Sequence, residues 1–457
     1  MSSIAADPGT SVRSDSTTRI AGRLAFWWFA AILGVLMFAA SAPSPLYSVY
    51  AAKWHFSSTT LTAVFAVYAL ALLAALLVAG RLSDYVGRRP VVLVSLAVEI
   101  ASMACFVAAH STPWLFAGRV LQGLATGASI GALSAALVES SAWSPSLAPL
   151  VNSAAPSLGL GIGALATSAL VQYGPTPERL VYWLLLAALA VGTVGMAVLP
   201  EPGQRRPGAL ASLRPQASLP KAARTAFVAT LPCLVALWAL GGFYLSLGPS
   251  LAAALTRSHN LMWGGVLIFL LMGGGSAASV LFRTLPARTA MTAGCLILLC
   301  GMGISLGAVA SSQSAAFLVG SAVAGVGFGL GFLGVFRTLS ALAGPAERGG
   351  LITTIYVASY LAFSIPVIVA GIGVQQSGLH DTALVYAAVV AGLTAVGAAG
   401  FLLHPSHRRR PALTTTPFPI ELTPCPGTVP PCRVEIPTFG AGGATPPGLG
   451  PARSGRP

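Results

Sequence analysis

Long apolar runs alternate with short polar stretches along most of the chain. A helix needs about 20 mostly apolar residues to cross a hydrocarbon core of roughly 30 Å. Runs of that length lie near residues 26–50, 57–80, 91–110, 113–138, 148–172 and 180–200. After a polar stretch, six more lie near 225–254, 261–282, 290–310, 313–343, 350–375 and 381–403. The pattern predicts an all-α membrane protein with twelve transmembrane helices in two six-helix halves.

The runs and their connections divide the chain into segments. We predict a cytoplasmic N-terminal segment at 1–24 and a first half at 25–200. A cytoplasmic central loop at 201–224 leads to a second half at 225–403, and a disordered cytoplasmic tail follows at 404–457. The tail is rich in Pro, Gly and Thr and has no apolar period. Residues 121–127 and 323–329 are similar glycine-rich stretches about 200 residues apart. Such a parallel repeat places a substrate site near the midplane, between the halves.

Composition and charge agree with a lipid environment. The chain is 55% hydrophobic and 8% charged, whereas a soluble domain carries roughly 25% charged residues. Its net charge of +14 does not indicate nucleic-acid binding, because the basic residues lie in short loops and not on one face or helix. Most of these loops fall on one side, which predicts that both termini are cytoplasmic. We therefore expect a multi-pass protein of the plasma membrane (cytoplasmic or inner membrane), acting as a monomer.

The residues that most enzymes and pumps require are sparse. The six cysteines lie far apart with no CxxC pair, and no histidine stands at ligand spacing, so we expect free thiols, no metal and no cofactor. The histidines are scattered and no paired-carboxylate motif is present, which argues against a catalytic site. Neither Lys53 nor Lys221 follows a glycine in a phosphate-binding loop, which argues against a pump driven by ATP. A receptor or sensor is disfavoured because no soluble signalling domain is appended.

The most specific stretch lies between the second and third runs and reads Gly80-Arg81-Leu82-Ser83-Asp84-Tyr85-Val86-Gly87-Arg88-Arg89-Pro90. It resembles the signature loop of the major facilitator superfamily, Gly-x-Leu-x-Asp-x-x-Gly-Arg-Arg/Lys. The resemblance implies the fold of that family and a charge cluster that keeps the cytoplasmic side closed in the outward-facing state. The implied gating residues are Gly80, Asp84, Gly87, Arg88 and Arg89, with Glu139 as an acidic partner. The alternative for the loop is that its basic residues only set the membrane topology. The alternative for Glu139 is an exposed side chain at a helix end without a gating role.

Two ionisable residues lie deep in the first half, and both are candidates for proton coupling. The stretch Gly118-Arg119-Val120-Leu121-Gln122-Gly123 resembles the Arg-x-x-Gln-Gly motif of proton-coupled exporters in the same family. Arg119 must pair, face a cavity or snorkel, because a charge is costly in hydrocarbon. Burial favours the protonated form of Glu99 unless a cation such as Arg119 holds it ionised. We predict that the two pair in one transport state and part in the other; a neutral, hydrogen-bonded Glu99 is the alternative.

Polar and aromatic residues on the inner helices are candidates to line a substrate cavity. They are Tyr68, Gln122, Trp238, Tyr244, Tyr356 and Tyr360. Packing in the core or against lipid is the alternative for each of them. The resulting hypothesis is a secondary transporter of a small organic solute that works by alternating access, with protons as the coupling ion and efflux as the direction. A proton-linked importer of a sugar or organic acid is the rival, since Ala155 and Leu160 depart from the antiporter motif of the family.

Overall fold

The computed structural model describes residues 9–144, 146–201, 203, 207–213, 217–344 and 347–403, and every regular element in these ranges is a helix. The first half contains α1 (Gly9–Ser41), α2 (Tyr47–Trp54), α3 (Ser58–Ala79), α4 (Ser83–Val86), α5 (Arg88–Ala108), α6 (Thr112–Glu139), α7 (Leu147–Tyr173) and α8 (Leu180–Val198). After the short α9 (Ala209–Ser212), the second half contains α10 (Lys221–Ser246), α11 (Gly248–Thr256), α12 (Met262–Leu281), α13 (Ala287–Ala310), α14 (Ser314–Ser340) and α15 (Arg348–Leu403).

The number of membrane crossings depends on α15. By length and composition, 11 helices in the described ranges can cross a membrane, and the last of these spans has 53 residues. At 1.5 Å per residue, that is more than twice the length that a hydrocarbon core of roughly 30 Å requires. Gly378 interrupts α15 with a non-helical backbone (φ 85°, ψ 165°). Since α15 therefore supplies two crossings, the predicted fold of twelve helices in two halves is confirmed.

Corresponding helices pack in the same way in both halves. In the first half, α6 packs against α3 and α5. In the second half, α14 packs against α12 and α13. Two helix pairs, α3 with α15 and α7 with α12, join the halves. This repeated arrangement leaves a space between the halves that helices of both halves line.

The helix ends differ from the predicted runs in two places. The first run was predicted at 26–50, but α1 already begins at Gly9 and ends at Ser41, and a turn containing Pro43 and Pro45 separates it from α2. Proline lacks the backbone donor that a continuous helix needs, and it disfavours helix at the preceding residue. Pro249 marks the equivalent break between α10 and α11. The other domain boundaries stay predictions, and the tail at 404–457 lies outside the described residues.

The described connections define two faces of the bundle. We call the face with the α3–α5 and α12–α13 connections the basic face, since it carries Arg81, Arg88, Arg89, Arg283 and Arg288. The opposite face carries Lys53, Arg179 and Arg257. By the positive-inside rule, the basic face is predicted to be cytoplasmic.

Candidate functional site

The signature loop forms a charge cluster on the basic face. Gly87 adopts a positive φ of 102°, which a residue with a side chain rarely tolerates, and its turn joins the single-turn helix α4 to α5. The Arg88 guanidinium contacts Asp84, donates to Ser83 Oγ at 2.8 Å and lies 3.0 Å from Glu139 Oε1 at the end of α6. The structure therefore brings together three of the predicted gating residues. The gating role itself stays a prediction.

Sequence reasoning missed a fourth member of this cluster. The carboxylate of Glu201 accepts hydrogen bonds from the backbone N–H groups of Arg88 (2.7 Å) and Arg89 (3.1 Å). These groups open α5, where the first backbone donors of a helix have no intrahelical partner and an anion is stabilised. Glu201 directly follows Pro200 after α8 and belonged, by sequence, to the polar central loop. No local pattern connects it to residues more than 100 positions away.

The two other predicted gating positions have different surroundings. The Arg89 guanidinium donates to the Ala197 carbonyl on α8, so it fastens the start of α5 to α8 and does not join the Arg88 cluster. Gly80 lies at the end of α3, and a Cβ placed on Gly131 of α6 would be 3.0 Å from the Gly80 carbonyl oxygen. Gly80 therefore sits where α3 and α6 approach closely.

A buried polar network occupies the centre of the first half. Glu99 on α5 and Arg119 and Gln122 on α6 have no exposed surface. Arg119 Nη1 donates to Gln122 Oε1 at 2.6 Å, and Gln122 Nε2 donates to Glu99 Oε1 at 3.2 Å. Gln122 thus bridges the two charged groups in this state, and the predicted direct pair is not formed.

The end of α1 helps to hold this network. Arg119 Nη1 donates to the Ala40 carbonyl at 2.8 Å, and Gln122 Nε2 donates to the Ala39 carbonyl at 2.9 Å. The last carbonyls of a helix lack intrahelical donors and carry partial negative charge. The prolines that end α1 therefore leave acceptors where a buried guanidinium needs them. Full burial with these partners excludes the alternative that Arg119 snorkels to a membrane interface.

The network is only partly satisfied. Within the described residues, Glu99 Oε2 and Arg119 Nη2 have no hydrogen-bond partner although neither atom reaches solvent. Buried polar atoms are paired in the great majority of cases. The two orphan atoms belong to the two ionisable side chains, Glu99 and Arg119, so the network retains the capacity for a second arrangement.

A central cavity of about 140 Å³ lies between the halves. Eight helices contribute to its wall: α1, α3, α6, α7, α10, α12, α14 and α15. Four of the six predicted cavity residues line it: Tyr68, Trp238, Tyr356 and Tyr360. Phe65, Phe328, Phe332 and Phe363 add further rings. Eight of the lining side chains are therefore aromatic.

The other two predicted cavity residues, Gln122 and Tyr244, do not line the cavity. Gln122 belongs to the buried network behind Tyr68. The Tyr244 hydroxyl lies 2.8 Å from Ser321 Oγ, and the side chain is buried between α10 and α14. The residues are on helices that do line the cavity, but their rotation about the helix axis turns them away from it.

The cavity continues toward the basic face. A cleft of about 610 Å³ between α7, α12 and α14 shares Ser153 and Ser279 with the central cavity and is lined at its outer part by Arg283 and Arg337. The Arg337 guanidinium donates to the carbonyls of Leu285 (3.0 Å) and Arg283 (2.6 Å).

On the opposite face, hydrogen bonds join the halves. Thr59 Oγ1 donates to Gln375 Oε1 at 2.8 Å, and the Leu261 N–H donates to Gln172 Oε1 at 3.0 Å. The central space is therefore held closed on this face, while the cleft leads from it toward the basic face.

Solved structures of transporters share this fold. The human organic anion transporter MFSD10 (TETRAN) matches 82% of this chain and 99% of its own, with a TM-score of 0.60 and 16% identity. A mutant of the nucleoside transporter NupG matches 82% and 98%, with a TM-score of 0.61 and 13% identity. The POT family transporter PepTSo matches 83% and 97%, with a TM-score of 0.63 and 14% identity. At these identities the likeness concerns the fold alone.

The sequence comparisons complete the assignment. Among curated proteins, none matches this sequence. The family model of the Major Facilitator Superfamily matches residues 28–366, which is most of the chain and includes the signature loop, the buried network and the greater part of the aromatic cavity. The chain belongs to the major facilitator superfamily.

Proposed function

We propose that this protein is a proton-coupled secondary transporter that exports a small organic solute by alternating access, as a monomer in the plasma membrane with both termini cytoplasmic. The observation that carries the proposal is the position of the buried network directly behind the cavity wall. The Arg119 guanidinium carbon lies 5.2 Å from the ring centroid of Tyr68, and Tyr68 lines the central cavity. A change of charge in the network therefore acts on a residue that a solute contacts.

Proton binding at Glu99 would change the balance of this network. When Glu99 is ionised, its carboxylate compensates the Arg119 charge through Gln122. When it is protonated, that compensation is lost, and the interaction of the guanidinium with the Tyr68 ring gains weight. Proton occupancy and the shape of the cavity wall are then linked, as coupled transport requires.

The charge cluster of the signature loop would act in the other transport state, in which the basic face is closed. In the present state, the contacts of Asp84, Arg88, Glu139 and Glu201 described above lie within the first half. They hold the α3–α5 connection as one rigid unit. When the halves rock and the basic face closes, this unit would meet the second half, while the bonds from Thr59 and Gln172 on the opposite face break.

Export is favoured by the Arg119-x-x-Gln122-Gly123 motif, which resembles that of proton-coupled exporters. Uptake of an organic acid is the second candidate. It is favoured by the structural likeness to the human organic anion transporter MFSD10 (TETRAN) and by the arginines at the cleft. An enzymatic function finds no support, since the family and the structural neighbours are transporters.

A proteoliposome assay tests the proposal. Vesicles with the purified protein and an internal pH-sensitive dye are exposed to a panel of small organic solutes, with and without an imposed pH gradient. We expect at least one solute to move protons in the direction opposite to its own flux. Proton movement in the same direction as the solute would support the importer instead. Solute flux that never responds to the pH gradient would refute proton coupling.

A further inference from the structure

We propose that the central cavity binds an uncharged, single-ring aromatic solute that carries both a hydrogen-bond acceptor and a donor, as a primary amide does. The inference rests on the proposed transport function for its biological meaning, but its evidence is the cavity itself. Two unsatisfied polar atoms, the charges around the cavity and the cavity volume lead to it independently of one another.

Two residues of the wall each carry a buried polar atom that has no partner within the described residues. One is the indole Nε1 of Trp238, a donor, and the other is Oδ1 of Asn152, an acceptor. Asn152 Nδ2 donates to the Ser134 carbonyl at 3.3 Å. A carbonyl can only accept, so the amide orientation is fixed and the oxygen is the end left free. Because buried polar atoms are normally paired, the site calls for a solute with one acceptor for Trp238 and one donor for Asn152.

The charges around the cavity disfavour a cation. Aromatic faces attract cations, yet the guanidinium of Arg119 already lies over the Tyr68 ring. Arg283 and Arg337 line the cleft through which a solute reaches the cavity from the basic face. None of the described residues on the cavity wall is acidic. A cationic solute would thus meet positive charges without a carboxylate to offset them.

The wall also disfavours an anion. No described residue on it is basic, and Arg119 is separated from the cavity by Tyr68 and Ala40, which do line it. A carboxylate in the cavity would lose its hydration without gaining a charged donor, and that loss is large for an ion. An uncharged solute avoids both penalties.

The volume limits the size of the solute. A cavity of about 140 Å³ compares with an apolar cavity of about 150 Å³ in another protein that accepts benzene. One aromatic ring with a small polar substituent fits this space, and the adjoining cleft gives it a way in.

Three nearly isosteric probes test the inference: benzamide, benzoate and benzamidinium. All are planar single rings, but benzamide is neutral and has both an acceptor and donors, benzoate is an anion with acceptors only, and benzamidinium is a cation with donors only. Binding to the full chain in lipid nanodiscs is measured by ligand-observed NMR at pH 7, without any gradient. We expect benzamide to bind at least tenfold more tightly than either ion. Equal or tighter binding of an ion would overturn the inference.

Two variants locate the site. Trp238→Phe keeps the ring in the wall but removes the donor, and we expect benzamide to bind about tenfold more weakly, as for the loss of one hydrogen bond. Trp183→Phe is the matched control, because Trp183 is 57% exposed on the outer surface of α8, and binding should not change. Unchanged binding in a folded Trp238→Phe protein would contradict the site. Should that variant not fold, the order of the three probes on the unmodified chain decides.

These measurements separate the inference from the proposed function. If benzamide binds best but no solute moves protons in vesicles, proton coupling fails and the cavity assignment stands. If proton-coupled flux occurs but an ion binds best, the cavity assignment fails and the transport function stands.

Discussion

The two halves share a packing scheme but differ in what they bury. The first half encloses Glu99, Arg119 and Gln122, each without exposed surface. In the second half, no Asp, Glu, Lys, Arg, His, Asn or Gln side chain whose exposure the structure describes is buried, and the buried polar side chains other than tyrosines and cysteines are serines and threonines. Many of those hydroxyls bond a carbonyl one turn earlier in their own helix, such as Thr230 to Ala226 and Thr394 to Val390. In such a bond, the hydroxyl donor is satisfied within its own helix.

The difference separates two tasks that a coupled transporter must perform. Among the side chains whose exposure the structure describes, the buried carboxyl and guanidinium groups lie in the first half, so we expect charge to be gained or lost there. The second half supplies most of the cavity rings, Trp238, Phe328, Phe332, Tyr356, Tyr360 and Phe363, against Phe65 and Tyr68 from the first. We therefore expect substitutions in the first half to alter coupling and those in the second half to alter solute binding or stability.

The largest expected effect is that of Glu99→Gln. The amide keeps the shape of the side chain but cannot carry a proton, so gradient-driven accumulation should fall at least tenfold, while exchange of solute down its own gradient continues. The measurement compares solute uptake in proteoliposomes with and without a pH gradient. Thr394→Val, which removes a buried hydroxyl in the second half, is the control and should keep the response to pH. Accumulation by Glu99→Gln at the wild-type pH dependence would show that the proton site lies elsewhere.

Asp84→Asn should slow transport roughly tenfold with little effect on folding. The substitution removes the charge of one of the two carboxylates that the Arg88 guanidinium contacts, which weakens the loop that we propose takes part in closing the basic face. Initial rates of solute flux measure the effect, and Asp381→Asn, at an exposed position after Gly378, is the control. Wild-type rates in Asp84→Asn would reduce the signature loop to a determinant of topology.

Gly294→Ala tests the packing of the second half. A Cβ at Gly294 of α13 would lie 2.7 Å from the Gly331 Cα of α14, so the helices would have to separate, at about 1–3 kcal/mol for an overpacked site. A Cβ at Gly303, on the same helix, would meet nothing within 4 Å. We expect a lower Tm in detergent for Gly294→Ala and no decrease for Gly303→Ala. Equal Tm values would show that α13 and α14 adjust without cost.

The smallest effect should follow removal of the residues after 410. Their sequence has no apolar pattern with which to pack against either half, so transport rates and Tm should stay within error of the full chain. Lost flux in a stably expressed truncation would give the tail a function that neither half supplies.

Sequence patterns were sufficient where the determinant was local. The apolar runs located the crossings. The polar residues near 375–381 marked the position at which α15 is interrupted. Asp84 and Arg88 both belong to the signature loop, and the resemblance of that loop to the family signature implied a charge cluster there.

Rotation about helix axes and long-range contacts were beyond the sequence. The sequence placed Glu99 and Arg119 deep in the first half, but the bridge through Gln122 depends on how α5 and α6 are turned toward each other. Tyr244 lies on a helix that lines the cavity and faces away from it for the same reason. Glu201 reaches the start of α5 only because α8 returns to the basic face beside it, and no periodicity encodes that proximity.

The break at Gly378 has a consequence for how the chain is made. Two crossings of α15 follow one another with a short exposed polar stretch between them, so neither has a long hydrophilic loop to hold it in place while the other is synthesised. A polypeptide with this design enters the bilayer most readily as a hairpin, with both arms together. Chains that end shortly after 378 should therefore insert the first arm of α15 less completely than chains that include the second arm, while the earlier crossings stay inserted in both.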